Sequence, residues 1–458
     1  MEQLIRLCTD TGPRNCEGIL CPRHGSGLTT EMKRMIRFTA QTRWMKWAAC
    51  AALAFAATAS AQQFALKDGD TVVFYGDSIT AQRFYTRFVE DFLLTRYPEL
   101  HIHFVNAGVP GDSVSGGYAG TMAERVKRDV APFHPAMITL MLGMNDGGWG
   151  FGGPEIDPNF QKGYRAVVDA LHEASPHAVI TLICPTPYDE LTHDTEFPGY
   201  SRVIDRFSDD VSRIGIQLQA SGDKQIMVAD FHWPLTDALQ RAKTSFPQLA
   251  PLIVPDRIHP SETGHWIMAA ALMSAWHVNP IVSSVVLNAA GAQVIDKDRT
   301  TVTNVVKSAN GLEWTQLDDA LPLPLDFNNA MTPMLLEISD IERLDRMMLR
   351  VESLDAGKYQ LFIDGKVIAS FSREKLQQGA NLALLKTPMQ QQARGIDGTE
   401  EHRATLDLAR FIMTADVKQR TNSTAGEAVL LDAQDQLAAA IRKDLNPKPH
   451  HFELRWKQ

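Results

Sequence analysis

Thr71-Val72-Val73-Phe74-Tyr75-Gly76-Asp77-Ser78-Ile79-Thr80 runs from a β-branched apolar stretch straight into a glycine, an acid and a serine. An apolar run that ends on turn residues predicts a buried strand delivering the chain to a tight turn, with a serine at its tip. A serine hydroxyl is a weak nucleophile at neutral pH unless a neutral imidazole accepts its proton, and that imidazole needs a carboxylate to fix its tautomer. Far downstream, Asp256-Arg257-Ile258-His259-Pro260 offers an acid and an imidazole three residues apart. Gly-Asp-Ser alone is ordinary turn chemistry, so the reading depends on two further segments.

Asn106-Ala107-Gly108-Val109-Pro110-Gly111-Asp112 follows the apolar run 102–105, and Gly143-Met144-Asn145-Asp146-Gly147-Gly148 follows the run 137–142. Each puts glycine and an amide side chain just past a predicted strand. In a doubly wound sheet, ligands bind beyond the carboxyl ends of the parallel strands, so segments after successive strands converge on one crevice. An oxyanion forming beside Ser78 would find donors in the backbone N–H groups of Ser78 and Gly111 and in the Asn145 amide. Short continuous apolar runs at 71–75, 102–105, 137–142, 178–184 and 225–230 alternate with helical patterns at about 83–96, 119–130, 158–174, 200–220 and 261–277. That β-α repeat predicts a parallel sheet covered by helices. Ser261 is expected to cap the last helix, with Pro260 restricting the backbone behind His259.

These blocks resemble the SGNH hydrolase family, the GDSL-type esterases and lipases, over about residues 70–278. The family's serine, glycine, asparagine and histidine match Ser78, Gly111, Asn145 and His259, and Asp256 falls where the family places its acid. The first block reads Gly-Asp-Ser-Ile rather than Gly-Asp-Ser-Leu, and a second Gly-Asp-Ser at Gly111–Ser113 is read as loop. The resemblance implies a flavodoxin-like three-layer α/β/α sandwich with a parallel sheet. It also implies a serine esterase with the triad Ser78, His259 and Asp256 and an oxyanion hole of Ser78, Gly111 and Asn145. Asp77, Trp149, Phe151 and Tyr188 are candidates for shaping the substrate pocket; Trp149 and Phe151 could equally plug their glycine-rich loop against the core. Admissible substrates are acyl esters of carbohydrates, lipids or lysophospholipids, and thioesters, with small acetyl esters of carbohydrates favoured. A non-catalytic carbohydrate-binding protein and an acyltransferase are the alternatives.

Residues 35–61 hold Arg37, Arg43 and Lys46, then the uncharged run 47–57, then Ala59-Ser60-Ala61. This order predicts a secretory signal cleaved after Ala61, hence a secreted or periplasmic protein. Four of the five cysteines, Cys8, Cys16, Cys21 and Cys50, precede that point; Cys184 is expected to be a small buried apolar residue. The chain carries 45 Lys/Arg against 54 Asp/Glu, a net charge of −9. Residues 1–61 hold eight basic and four acidic residues, so removing them takes the charge to −13. Such a balance disfavours nucleic acid and anionic membranes as partners. No Walker loop, dinucleotide fingerprint or metal-ligand spacing is present, so no cofactor and no metal is expected. No stable membrane anchor is expected either, and the oligomeric state is left open.

Beyond Asn279-Pro280 the pattern changes, suggesting a catalytic domain over 62–279 and a smaller β-rich then helical module over 280–458. Runs at 282–287, 301–306, 312–317, 334–338 and 347–351 read as strands, and Asp364-Gly365 between 359–363 and 366–370 reads as a hairpin turn. Helical patterns follow at 399–413 and 427–445. No aromatic row suited to sugar stacking is evident; Trp314 and Trp456 are single candidates, read as core or edge residues in preference to sugar contacts.

Overall fold

A computed structural model describes residues 66–457 apart from 151–152, 195, 310 and 415–423. The expected leader over residues 1–61 and Phe151 lie outside the described residues.

The five expected runs are strands of one parallel sheet: β1 (Thr71–Gly76), β2 (His103–Gly108), β3 (Met137–Met141), β4 (Val179–Cys184) and β5 (Ile226–Asp230). Their order is β2-β1-β3-β4-β5, the sequence of a flavodoxin-like sheet. In register, Val73 lies between Val105 and Ile138. The strands are apolar and buried, Val72 to Tyr75 fully so, and helices flank the sheet. Those helices are α1 (Ser78–Ala81), α2 (Phe84–Arg96), α3 (Met122–Arg125), α4 (Ile156–Ala174), α5 (Tyr200–Ala220), α6 (His232–Ser245) and α7 (Glu262–Ala275). The α2 helix packs on α7, and α4 packs on α5. The pattern expected to be helical over 119–130 is the short α3, opened by a capping box of Thr121 and Glu124, and continued by a π turn through Val130. The α6 helix was not anticipated. Ser261 does occupy the N-cap position of α7, but its hydroxyl makes no capping bond.

The remainder forms two sheets. One runs β8 (Thr300–Ser308), β9 (Gly311–Asp318), β13 (His450–Lys457), β11 (Lys358–Ile363), β12 (Lys366–Ser372). The other holds β10 (Arg346–Glu352) between the short strand Ala380–Asn381 and β6 (Ile281–Asn288), with β7 (Gln293–Asp298) outermost. Asp364 and Gly365 both take positive φ in the expected hairpin turn. One run was misread: 334–338 belongs to a helix, α8 (Thr332–Ile338), not a strand. Pro333 at its first turn suits a helix start, and Met334, Leu335 and Ile338 share one buried helical face. With Leu323, Leu325, Ile341 and Leu344 they join the core around the parallel sheet, whereas the two C-terminal sheets enclose a second core. Residues from beyond 280 therefore complete the first core as well as building their own.

The helix α10 (Pro388–Thr414) lies along α2 and is followed by α11 (Thr424–Asp444). The seam between α2 and α10 is dense in buried charge: Arg83 pairs with Asp407, Arg87 with Asp397 at 3.2 Å, and Arg403 with Glu90 and Glu400. Burial pushes the Glu90 carboxyl up to about 8 although Arg403 opposes it. Burial, reinforced by the charges of Asp397 and Glu400, holds Asp91 far above the ordinary carboxylate range. A carboxyl whose folded pKa is raised contributes stability that is complete below the unfolded value near 4 and is lost as pH rises through the folded value. The melting temperature is therefore expected to fall between about pH 4 and 8, and Asp91→Asn to flatten that slope. Calorimetry across this range tests it; a profile equally steep in the variant would remove the seam as its cause.

Candidate active site

The β1 strand ends at Gly76, and Asp77 turns the chain into α1, its side chain accepting the Ile79 N–H at 2.9 Å as an N-cap. Ser78 thus stands at the first position of a helix, where its own N–H has no intrahelical acceptor. Closely beneath lies Gly108 of β2, where a Cβ would come within 2.3 Å of the Ala81 nitrogen, so only glycine lets α1 sit this low over the sheet. Thr80 Oγ1 bonds the Tyr85 hydroxyl at 3.0 Å, and Asn106 Nδ2 donates to the Thr80 carbonyl at 2.8 Å.

The structure brings the three distant residues together. His259 Nε2 lies 2.8 Å from Ser78 Oγ, and His259 Nδ1 lies 2.7 Å from Asp256 Oδ2. An ionised carboxylate only accepts, so Nδ1 carries the proton and Nε2 is free to accept from the serine. Asp256 Oδ1 also accepts the backbone N–H groups of Ile258 at 3.0 Å and His259 at 2.7 Å. Partial burial alone would raise the Asp256 pKa, but these hydrogen bonds and the imidazole outweigh it and hold the carboxyl below its ordinary value.

Gly111 takes φ +74 with open space where a Cβ would be, in the loop after β2. Asn145 follows β3, and its Nδ2 donates to the Asp112 carbonyl at 2.9 Å, so the two donor loops are tied to each other. Asp146 accepts the Val114 N–H at 3.0 Å, which orients the Asn145 loop as its position suggested. Burial pushes both Asp77 and Asp146 up to about 7 and raises Asp112. A share of the Asp77 and Asp146 carboxyls is therefore neutral near pH 7, which lessens the opposition to an anion forming close by.

The pocket-shaping candidates are placed as follows. Asp77 is buried and engaged as the cap. Trp149 takes φ +56 and leans on Tyr200, ring centroids 5.0 Å apart, and on Phe197. Tyr188 is buried edge-on against Tyr200. Ser113 is a loop residue, its hydroxyl donating to the Gly116 carbonyl. Cys184 is fully buried, and burial pushes its thiol up to about 11.

His265, which stands in no motif spacing with an acid, ties the segment after His259 to the one after Ser78. It belongs to α7, one and a half turns beyond His259, and is fully buried. Its Nδ1 accepts the Tyr85 N–H at 3.1 Å and its Nε2 donates to Gln82 Oε1 at 2.9 Å, pinning the junction of α1 and α2 directly after Ser78. Burial lowers its pKa to about 3, so it holds this pattern as a neutral ring. The loop after β4 contributes similarly: Asp189 N–H donates to the Arg257 carbonyl at 2.9 Å, and the His193 ring bonds the Val254 carbonyl at 3.0 Å. A histidine isolated in the otherwise apolar stretch 265–270 was the one available signal, since such a ring needs partners when buried. Among the described residues no cluster of His, Cys, Asp and Glu is arranged to hold a metal ion, and no helix is long and apolar enough to cross a membrane.

Comparison with known proteins adds independent findings. The model of the GDSL-like lipase/acylhydrolase family matches residues 74–267. An acetylxylan esterase of Geobacillus stearothermophilus is 25% identical over 232 residues, which is 45% of this chain and 93% of that protein. Among solved structures, a gut microbial diltiazem-metabolizing enzyme superposes with a TM-score of 0.71 at 24% identity, covering 86% of this chain and all of the other. That overlap is too long for the parallel-sheet region alone, so the fold it shares includes C-terminal sheets.

Proposed function

We propose that the chain, which matches the GDSL-like lipase/acylhydrolase family through residues 74–267 and is an ester-hydrolysing enzyme, works through Ser78, His259 and Asp256 on short acyl esters of carbohydrates. The carrying observation is the unbroken hydrogen-bond path from Ser78 Oγ through the imidazole of His259 to Asp256. His259 takes the serine proton as Oγ adds to the ester carbonyl, and Asp256 stabilises the imidazolium. The new oxyanion is held by the N–H groups of Ser78 and Gly111 and by the second N–H of the Asn145 amide. His259 then gives its proton to the departing alkoxide, leaving an acyl-enzyme, and afterwards takes a proton from the water that attacks it.

Two features favour a small acyl group on a sugar. The acetylxylan esterase is similar to this chain over nearly its whole length. Trp149 also stacks on Tyr200, and Tyr188 meets Tyr200 edge-on, so this aromatic group is packed rather than open, which favours a short acyl chain over a long one. We place the catalytic domain at 62–279, with α2 and α7 on one face of the sheet and α4 and α5 on the other, in three layers. Residues 280–458 form the accessory module, and the 1–61 segment directs export to the periplasm or the medium.

The acyl and alcohol preferences are tested with p-nitrophenyl esters of acetate, butyrate and octanoate and with acetylated xylo-oligosaccharides. The value of kcat/KM is expected to fall by roughly tenfold or more from acetate to octanoate, as a filled pocket rejects added methylenes, and acetylated sugars to be deacetylated. Faster turnover of the octanoate would instead favour a lipase or lysophospholipase.

A further inference from the structure

The second C-terminal feature that the catalytic reading leaves unused is an aromatic side chain at one end of the two sheets. Along β13 the alternation places Phe452, Leu454 and Trp456 on one face. Phe452 and Leu454 are completely buried in the C-terminal core, whereas Trp456, next in the same row, is 50% exposed. It stands opposite Tyr359 of β11, where the opposing sheet no longer covers the row. Gly357, at φ +151, lies so close that a Cβ there would be 2.4 Å from the indole Nε1, so the ring is seated against backbone. Trp456 is therefore a half-open aromatic platform with a fixed bed, and not a ring loose on the surface.

In front of it is an open cavity of about 590 Å³, within the usual range of roughly 300–1,000 Å³ for small-molecule sites. Its walls come from the loops joining β6 to β7, β8 to β9 and β10 to β11, which gather at this end of the sheets. Lys307 at the end of β8 lines the cavity together with Ser353 and Asp355 of the loop after β10, with small alanines between them. The Tyr359 hydroxyl donates to the Asp355 carbonyl at 3.0 Å and so braces that loop. One cation, one anion and one hydroxyl give hydrogen-bonding capacity in both senses without a dominant charge, which suits a neutral polyol. An indole face suits the C–H face of a pyranose ring by the same amphipathic logic that makes tryptophan frequent in binding sites.

From this combination we infer that the end of the C-terminal sheets carries a second, non-catalytic binding site for a neutral polysaccharide, with Trp456 as its stacking platform. It would hold a polymer to the enzyme while Ser78 works on esters elsewhere on the molecule. The inference extends the carbohydrate reading of the active site but rests on different residues, and the experiment separates the two.

Affinity gel electrophoresis of the Ser78→Ala protein in gels containing de-esterified xylan, glucomannan, galactan or starch tests it, because without esters the catalytic site has nothing to select. Retardation by at least one of these polymers is expected. Trp456→Ala should weaken it roughly tenfold or more, the scale of losing a central aromatic anchor, and Trp456→Phe should keep most of it. In the Ser78-bearing protein, Trp456→Ala should leave turnover of p-nitrophenyl acetate unchanged, which also establishes that the variant folds. No retardation by any of the polymers, or equal retardation of Trp456→Ala, overturns the site while leaving the esterase assignment untouched. Loss of p-nitrophenyl acetate turnover in Trp456→Ala would assign the residue to folding and overturn it as well.

Discussion

Ser78→Ala is expected to lower kcat for p-nitrophenyl acetate by on the order of 10⁶-fold, the scale seen when the nucleophile of a serine hydrolase is removed, without lowering the melting temperature. The two halves of that expectation have separate causes. The hydroxyl is the atom that forms the covalent bond, and His259 has nothing to activate once it is gone. The local fold does not depend on it: Asp77 caps α1, Thr80 bonds Tyr85, and Asn106 holds the Thr80 carbonyl, none of them through Oγ of residue 78. His259→Ala should cost nearly as much, and the double variant little more than either, because nucleophile and base act as one unit. A residual rate of roughly 10³-fold over the uncatalysed reaction is compatible with an intact oxyanion hole. Turnover by Ser78→Ala within a hundredfold of the native rate would show that another group makes the bond, and the hydrogen-bonded path from Ser78 to Asp256 would lose its meaning.

The residues of that path were legible because each sits in a short motif, Ser78 directly past a recognisable strand and Asp256 and His259 three residues apart just ahead of α7. The strands were legible because a parallel sheet covered on both faces leaves continuous apolar runs, such as Met137 to Met141. What escaped notice is non-local. Strand β13 is the centre of its sheet, yet its partners, β9 and β11, lie about 90 to 140 residues earlier, and its alternation is only three apolar residues long. The α6 helix mixes exposed Trp233 with buried Leu235 and Leu239 and carries a proline in its first turn, so neither periodicity nor composition announced it. Met334 to Ile338 read as a strand because five residues of which four are apolar fit both periods, and only the packing against the first core decides between them. The same limit applies to the site. The triad is written in local spacing, but the groups that hold it, His265 on Gln82 and Asp189 on Arg257, find their partners across some 180 and 70 residues. Spacing carries no trace of such bonds.

Arg125 is the clearest of these hidden supports, and Arg125→Ala is expected to destabilise the protein by about 3–5 kcal/mol, the cost of stranding buried charges when one partner is removed. Its side chain is wholly inaccessible. The guanidinium pairs with Asp112, bonds Asp129 at 3.1 Å, donates to the Ala107 carbonyl, and lies 4.4 Å from the centre of the Tyr75 ring. One planar group therefore joins β1, the end of β2, the π turn after α3 and the loop bearing Gly111. Removing it leaves the buried Asp112 carboxylate without its cation, while Asp129 keeps only Arg128. The damage should also reach catalysis, because the Asp112 carbonyl receives the Asn145 amide. A shift of about 1 Å in that loop moves two oxyanion donors at once, and displacement on that scale costs on the order of 10²-fold in rate. Arg125→Lys should fall between, since an ammonium keeps the charge but cannot span three acceptors in a planar fork. The double variant Arg125→Met with Asp112→Asn should regain part of the stability, because it removes charges in pairs, while leaving kcat low. Urea denaturation read alongside kcat separates these effects: an Arg125→Ala protein as stable as the native one would mean that Asp112 needs no cation in the fold, and that the Gly111 loop is held by the backbone alone.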